Sequence, residues 1–247
     1  MNDQELKIEL PKQSKLHQIL VYALIPLMAI ALYLVFMWSP VEKTMGVVQK
    51  IFYFHVGSAW TAFLAFGVVF VCSILFLIKR KRIYDIVAGI SAEIGVVFTA
   101  IVLTSGPIWG RSAWNTWWTW EPRLTTTLIL FFIYIAYILI RHMDGAWEKK
   151  ARLASVFGII GFIDVPIVFM AIRWWNSKLH PIVFGDGPTQ RGGGIEPPML
   201  FTLVFTLGVI TLLYVVLLQK GVYIEKTKLA VEKYKKHVQE KLMDKVS

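Results

Sequence analysis

The sequence predicts an all-α integral membrane protein with six transmembrane helices. Of its 247 residues, 56% are hydrophobic and only 17% are charged, whereas a soluble domain carries roughly 25% charged residues. The mean hydropathy is +0.59. The apolar residues are gathered into six runs, and each approaches the roughly 20 helical residues that cross a hydrocarbon core of about 30 Å. Composition and run length together therefore indicate a multi-pass membrane protein.

The six predicted spans lie near residues 18–38, 54–78, 86–106, 124–140, 153–171 and 199–218. The first run ends in Trp38-Ser39-Pro40 and lacks the small-residue pattern of a signal-peptidase site, so we expect it to be a retained span. Beyond the sixth, apolar residues recur between many lysines, at Val231, Tyr234, Val238 and Leu242. This spacing fits a basic amphipathic helix on an anionic membrane surface, and equally a solvated helix. We thus predict a membrane domain over 1–218 and a cytoplasmic tail over 219–247.

The positive charges predict the orientation. Of 26 lysines and arginines, 19 fall in residues 1–17, 79–85, 141–152 and 219–247, which six spans place on one side of the membrane. The positive-inside rule makes that side the cytoplasm, with both termini there. The net charge of +10 sits in short clusters between spans, which favours a lipid bilayer over nucleic acid as the partner. The single cysteine, Cys72, lies within a predicted span, which excludes disulfides, CxxC pairs and Cys-based zinc sites.

Tryptophans are concentrated on the predicted outer side. Five of them fall within residues 109–125, WGRSAWNTWWTWEPRLT, between the third and fourth spans. Of the ten in the chain, only Trp147 is on the inner side. An anchoring belt normally decorates both membrane interfaces, so this asymmetry favours a platform for a flat ligand, with a belt as the alternative.

Two histidines, His55 and His180, also fall on the outer side, whereas His17, His142 and His237 fall on the inner side. Imidazole ligates haem iron, and indole rings give flat apolar contact. Cationic side chains can pair with haem propionates, and Arg111, Arg123, Arg173 and Lys178 are on the outer side for this role. A haem site at the outer surface is one interpretation of this set. The other is that the histidines are ordinary interfacial side chains.

Two acidic residues, Glu93 and Asp164, fall inside predicted spans. Ionisable residues in the membrane are costly and mark functional sites by default. They could relay protons in a transporter, or bond to neighbouring helices. We favour the structural role, since few polar residues surround them in the sequence.

The motif Trp109-Gly-Arg-Ser-Ala-Trp114-Asn-Thr-Trp117-Trp118-Thr-Trp120-Glu121 resembles the WWD-type signature of haem-handling membrane proteins, and most of all that of the CcmC family of cytochrome c maturation. The flanking Ser105-Gly-Pro-Ile and Arg123-Leu-Thr, the Phe-Tyr-Phe-His sequence at His55, and Trp174-Trp-Asn with Leu-His180 extend the likeness over most of the chain. The family motif commonly ends in Asp, whereas this chain has Glu121.

The resemblance implies a haem-delivery protein of the bacterial inner membrane whose site faces the periplasm. It implies His55 and His180 as axial ligands of the iron of haem b in transit. It implies further haem contacts from Trp109, Trp114, Trp117, Trp118, Trp120, Glu121 and Arg123. The expected partners are the haem chaperone CcmE, the ABC transporter subunits CcmA and CcmB, and CcmD. We expect delivery rather than catalytic turnover; a haem lyase and a haem transporter subunit are the alternatives.

Overall fold

The computed structural model describes residues 10–43, 45–175, 180 and 195–244, and in this part of the chain the regular structure is helical. The helices are α1 (Lys15–Tyr33), α2 (Lys50–Lys79), α3 (Arg82–Trp114), α4 (Pro122–His142), α5 (Trp147–Phe162), α6 (Asp164–Trp174) and α7 (Pro197–Asp244). A π-helical turn, Leu34–Trp38, extends α1, and a 3₁₀ turn, Val47–Gln49, precedes α2. The only β-pairing among the described residues is an isolated bridge between Glu42 and Gly46.

Six helical segments of the described chain are long and apolar enough to cross a membrane, which confirms the six-span prediction. The fifth of these, Trp147–Trp174, combines α5 and α6. The first and last spans pack side by side. At one end of this pair His17 Nδ1 is 3.0 Å from Gln219 Oε1, and at the other the rings of Trp38 and Phe201 are 5.7 Å apart. We call the end that carries residues 109–120 the tryptophan end.

The third span is longer than predicted. We expected it to end at residue 106, before Pro107, but α3 continues to Trp114. Asn115 then takes a left-handed conformation (φ 57°), and its carbonyl and side-chain oxygens accept hydrogen bonds from Arg111 Nη1, both at 2.6 Å. The tryptophan run is consequently divided, with Trp109 and Trp114 on the last turns of a helix and the others in the following loop.

The fifth span is interrupted, whereas we expected one continuous helix at 153–171. The chain leaves α5 at Phe162 and re-enters a helix at Asp164. Pro166 explains the position of the break, because proline donates no amide hydrogen bond and its ring crowds the carbonyl four residues earlier, that of Phe162. The part of the span before the break, α5, packs along α2, whereas the part after it, α6, packs chiefly along α4. A space opens between α2 and α6 at the tryptophan end.

The main core lies between α2, α3, α4 and α5. At its centre the rings of Phe66 and Tyr134 stack with centroids 3.6 Å apart. A second cluster, at the tryptophan end, joins the start of α2 to α7; its buried members are Val35, Phe52, Tyr53, Met199 and Leu203. These contacts fix the first turns of α2, which carry His55. The residues after 218 continue α7 as one helix to Asp244, and the division into two domains stays a prediction.

Candidate functional site

A cavity of about 660 Å³ occupies the tryptophan end of the bundle. This volume lies within the roughly 300–1,000 Å³ of pockets that hold small ligands and cofactors. Its walls come from α2, α3, α4, α6 and, with one side chain each, α5 and α7. The polar and aromatic side chains that line it include His55, His180, Trp109, Trp114, Trp117, Trp118, Arg123 and Arg173.

His55 enters the cavity from the second turn of α2. Its Nδ1 lies 2.9 Å from the hydroxyl of Ser105 on α3. That hydroxyl donates its one proton to the carbonyl of Ile101, at 2.6 Å, so it accepts from His55 and Nδ1 carries the ring proton. The lone pair of His55 is therefore on Nε2, the nitrogen that would bind a metal.

His180 enters the cavity from the chain that follows α6. Its Nδ1 donates to Glu121 Oε2 at 2.8 Å, and the side chains of the two residues are only 18% and 11% exposed. Burial lowers the pKa of His180, and the bond to Glu121 opposes this effect without cancelling it. The ring is thus neutral at neutral pH, and Nε2 is again the nitrogen that would coordinate a metal.

Gly106 gives the His55 ring the room it occupies. A Cβ atom at this position would lie 3.2 Å from Cε1 of His55. Replacing Gly106 with valine should push the ring away from Ser105 and reduce the haem content of the purified protein severalfold, as measured by absorbance. The matched control is Gly208→Val, because nothing lies within 4 Å of a Cβ at Gly208. Equal haem content in the two variants would contradict the role given to Gly106.

Aromatic rings form a continuous wall beside His180. The ring of Trp114 lies 5.3 Å from that of His180, and Trp109 packs edge-on against Trp114 at 5.0 Å. Gly110 allows this packing, because a Cβ there would lie 3.2 Å from the Trp114 ring. The wall is apolar and its two indoles are carried by the last turns of α3, and the face of an indole ring offers flat contact to a planar ligand.

Hydrogen-bond donors surround the same cavity. The indole nitrogens of Trp109 and Trp118 are buried and have no hydrogen-bond partner among the described residues. Arg123, near the start of α4, and Arg173, near the end of α6, add positive charge. Unpaired buried donors are unfavourable unless a ligand satisfies them. Two indole N–H groups and two guanidinium groups suit a ligand with two carboxylates.

This set of residues matches haem better than a bare ion. Among the described residues no group of three or more His, Cys, Asp or Glu side chains could hold a metal ion. Haem supplies four nitrogen ligands itself and needs only axial ligands from the protein. The two imidazoles, the aromatic wall and the cationic groups each have a counterpart in its iron, its ring and its propionates.

The structure brings most of the predicted site residues together, but not all. Trp120 does not line the cavity: it is 75% exposed and touches Trp118 edge-on. Glu121 lies behind His180 and not on the cavity wall. Arg111 is outside the lining and is bonded to Asn115. Lys178 lies outside the described residues.

Other site residues were not predicted. Ser105 stands in the sequence flanking the tryptophan motif, but its bond to His55 links residues 50 positions apart. The apolar wall opposite α2 comes from α5 and α6, through Phe162, Val165, Phe169 and Ile172. Ordinary apolar residues in a span carry no signal of this role. Of the two membrane acids, Glu93 is exposed on α3. Asp164 lies at the break, and its buried Oδ2 has no hydrogen-bond partner in the described part of the chain. Neither residue lines the cavity.

Comparison with known proteins identifies the family of the chain. The family model of Heme exporter protein C, CcmC, matches residues 7–237. A Heme exporter protein C of Bradyrhizobium diazoefficiens is 33% identical over 192 residues, which cover 77% of this chain and 73% of that protein. A putative cytochrome c biosynthesis ccmC-like mitochondrial protein of Marchantia polymorpha is 35% identical over 177 residues, covering 72% and 73%. The Heme exporter protein C of Escherichia coli K12 is 31% identical over 164 residues, covering 66% and 64%.

The family model spans 7–237 of the 247 residues. The family implies a part in delivering haem for cytochrome c maturation. The chain belongs to the Heme exporter protein C (CcmC) family of multi-pass membrane proteins.

Proposed function

We propose that this protein binds haem b in transit at the outer face of a bacterial inner membrane and presents it to a CcmE-type haem chaperone. His55 and His180 are the axial ligands of the iron. The distribution of lysine and arginine supports a site that faces the periplasm. Membership of the family supports transporter partners in general; we propose CcmA, CcmB and CcmD as those partners.

One observation carries this proposal. Two histidines that lie 125 positions apart in the sequence line one cavity, and each has its Nδ1 bonded to a fixed oxygen. Metal-ligating histidines commonly bond their second nitrogen to a carboxylate, carbonyl or water, which fixes the tautomer and the ring orientation. Both imidazoles are therefore prepared as Nε2 ligands before haem arrives.

The ligand assignment is tested by replacing each histidine with alanine and recording the optical spectrum of the purified protein with haem. We expect a low-spin, bis-histidine spectrum in the original chain and its loss in both His55→Ala and His180→Ala. His142→Ala is the matched control, because His142 is exposed and, as far as the structure describes the chain, bonds only to the carbonyl of Ile138 in its own helix. A low-spin spectrum retained in both site variants would exclude these ligands.

Trp120 supports the presentation step. It is 75% exposed, and Trp117, three positions earlier in the sequence, is 61% exposed; groups of exposed apolar side chains mark interaction surfaces. Replacing Trp120 with alanine should slow haem transfer to the chaperone about tenfold or more, as expected for an aromatic interface anchor worth about 2 kcal/mol. Haem binding should be unchanged, since Trp120 does not line the cavity.

Trp120 belongs to the presentation surface only if its replacement slows haem transfer and leaves haem binding unchanged. Haem binding is measured by spectral titration of the variant alone, and transfer by the covalent haem recovered on the chaperone. A Trp120→Ala protein that loses haem binding in step with transfer would place Trp120 in the haem site. Unchanged transfer would remove it from the presentation surface.

A further inference from the structure

The two proposed axial ligands have different partners. His180 Nδ1 donates to the carboxylate of Glu121 at 2.8 Å, whereas His55 Nδ1 donates to the neutral hydroxyl of Ser105 at 2.9 Å. The lengths are nearly equal, so the pairs differ in the charge of the acceptor. Hydrogen bonds to an ionised acceptor are roughly twice as strong as bonds between neutral groups.

An anionic acceptor changes how well the other nitrogen of the ring donates electrons. The carboxylate draws the Nδ1 proton toward itself and raises the basicity of Nε2. The hydroxyl of Ser105 raises the basicity of its histidine only weakly, because it is uncharged. It donates its own proton to the carbonyl of Ile101. His180 should therefore be the stronger donor to an iron centre.

The surroundings preserve this difference. The His180–Glu121 pair is largely buried, and a low local dielectric strengthens charge interactions. Trp114 covers the His180 ring from the side. Arg123 is the nearby cation and acts in the opposite direction on His180. It reduces the effect of Glu121, but the carboxylate holds the direct hydrogen bond.

The place of Glu121 in the fold supports a positioning role. It is the residue before α4, and Pro122 opens that helix. Its side chain does not cap the helix end; it reaches His180, 59 positions away. An acidic side chain at a helix N-terminus commonly bonds to backbone N–H groups, and this one is used for the ligand instead.

We propose that Glu121 is a positioning residue that makes His180 the stronger of the two axial ligands, so that His55 is the ligand exchanged when haem is handed on. This inference rests on the proposed function. The step is a ligand substitution without a change of oxidation state: the bond from iron to His55 Nε2 breaks, and a bond to an electron-pair donor of the chaperone forms. His180 keeps its bond until the new one exists.

The first experiment measures the reduction potential of bound haem by spectroelectrochemical titration. Glu121→Gln keeps a hydrogen-bond acceptor and removes the charge, so the ferric form loses stabilisation and the potential should rise. If the protein loses a factor of ten in its preference for ferric over ferrous haem, the reduction potential rises by about 59 mV for this one-electron couple. Glu121→Asp, which restores the charge, should stay closer to the original potential than Glu121→Gln. Ser105→Ala should shift the potential less than Glu121→Gln does.

The second experiment compares His55→Gly and His180→Gly for haem retention and for rescue by added imidazole. We expect His55→Gly to retain more haem, by tenfold or more in affinity, the scale on which outer-shell partners act. Added imidazole should restore a low-spin spectrum in it. The difference between the two variants should shrink in a Glu121→Gln background. If Glu121→Gln cannot be purified, the retention comparison in the original background decides alone.

The outcomes separate this inference from the proposed function. If both histidines behave as ligands but Glu121→Gln leaves the potential unchanged, Glu121 does not tune His180. Equal retention in the two glycine variants, or better retention in His180→Gly, overturns the order of exchange. If neither histidine variant alters the spectrum, the proposed function itself fails.

Discussion

Replacing Asp85 with alanine should destabilise the protein by about 3–5 kcal/mol, the cost of leaving one partner of a buried ion pair without the other. Asp85, near the start of α3, accepts hydrogen bonds from Arg141 at the end of α4. The two side chains are only 12% and 21% exposed. Arg141 also lies over the ring of Tyr137. The pair ties two spans together at the end opposite the cavity, and thermal unfolding in detergent measures the loss.

Two control variants test whether the effect of Asp85→Ala comes from the buried ion pair. The pair Glu148–Arg152 is exposed, at 61% and 57%, so Glu148→Ala should cost about 0.5 kcal/mol or less. Replacing Asp85 and Arg141 together with leucine should recover most of the stability, because no uncompensated charge remains. A single Asp85→Ala variant as stable as Glu148→Ala would show that the pair does not hold α3 to α4.

Four tryptophans of the motif line one cavity, and the sequence indicates their proximity because they are close along the chain. A run that ends one helix and begins the next must lie at one end of the bundle, so the positions of Trp109, Trp114, Trp117 and Trp118 around one cavity follow from chain connectivity. The side-by-side arrangement with His55 and His180 was expected from the six-span topology. The resemblance to a family added the ligand assignment, which remains a prediction.

Contacts between distant residues were not predictable in the same way. Nothing in the sequence near Glu121 indicates that it bonds to His180, because the two residues are 59 positions apart and only folding brings them together. The pairing of Ser105 with His55 depends on the rotation of α3 against α2. Helix rotation is fixed by packing over the whole interface, and a short motif does not record it.

The break at Ile163 was only partly predictable from the sequence. Pro166 marks a place where a helix is weakened, yet Pro107 leaves α3 continuous. Proline is tolerated within spans where neighbouring helices and hydroxyl side chains compensate. Near Pro107 the hydroxyls of Thr104 and Ser105 bond to carbonyls one turn earlier. Near Pro166 the adjacent polar residue is Asp164, and the helix separates.

Replacing Arg123 with glutamine should weaken haem affinity by about 2–5 kcal/mol, the cost of truncating one partner of a buried charge pair. At 1.4 kcal/mol per factor of ten, this is roughly 30-fold or more. Arg123 lines the cavity near its aromatic wall, and its planar guanidinium suits a propionate. Spectral titration of the purified protein with haem measures the change, and the bis-histidine spectrum should persist at saturation.

The control variant is Arg111→Gln. Arg111 is also at the tryptophan end, on the last turn of α3, but it does not line the cavity. The Arg111→Gln protein should bind haem like the original chain. A sharper control changes the ligand: the dimethyl ester of haem has no carboxylates, so the original chain and Arg123→Gln should bind it with similar affinity. This comparison works as a double-mutant cycle across the interface. If Arg123→Gln weakens the ester and the acid equally, Arg123 acts through the fold of the site or through Glu121, and the propionates have another partner.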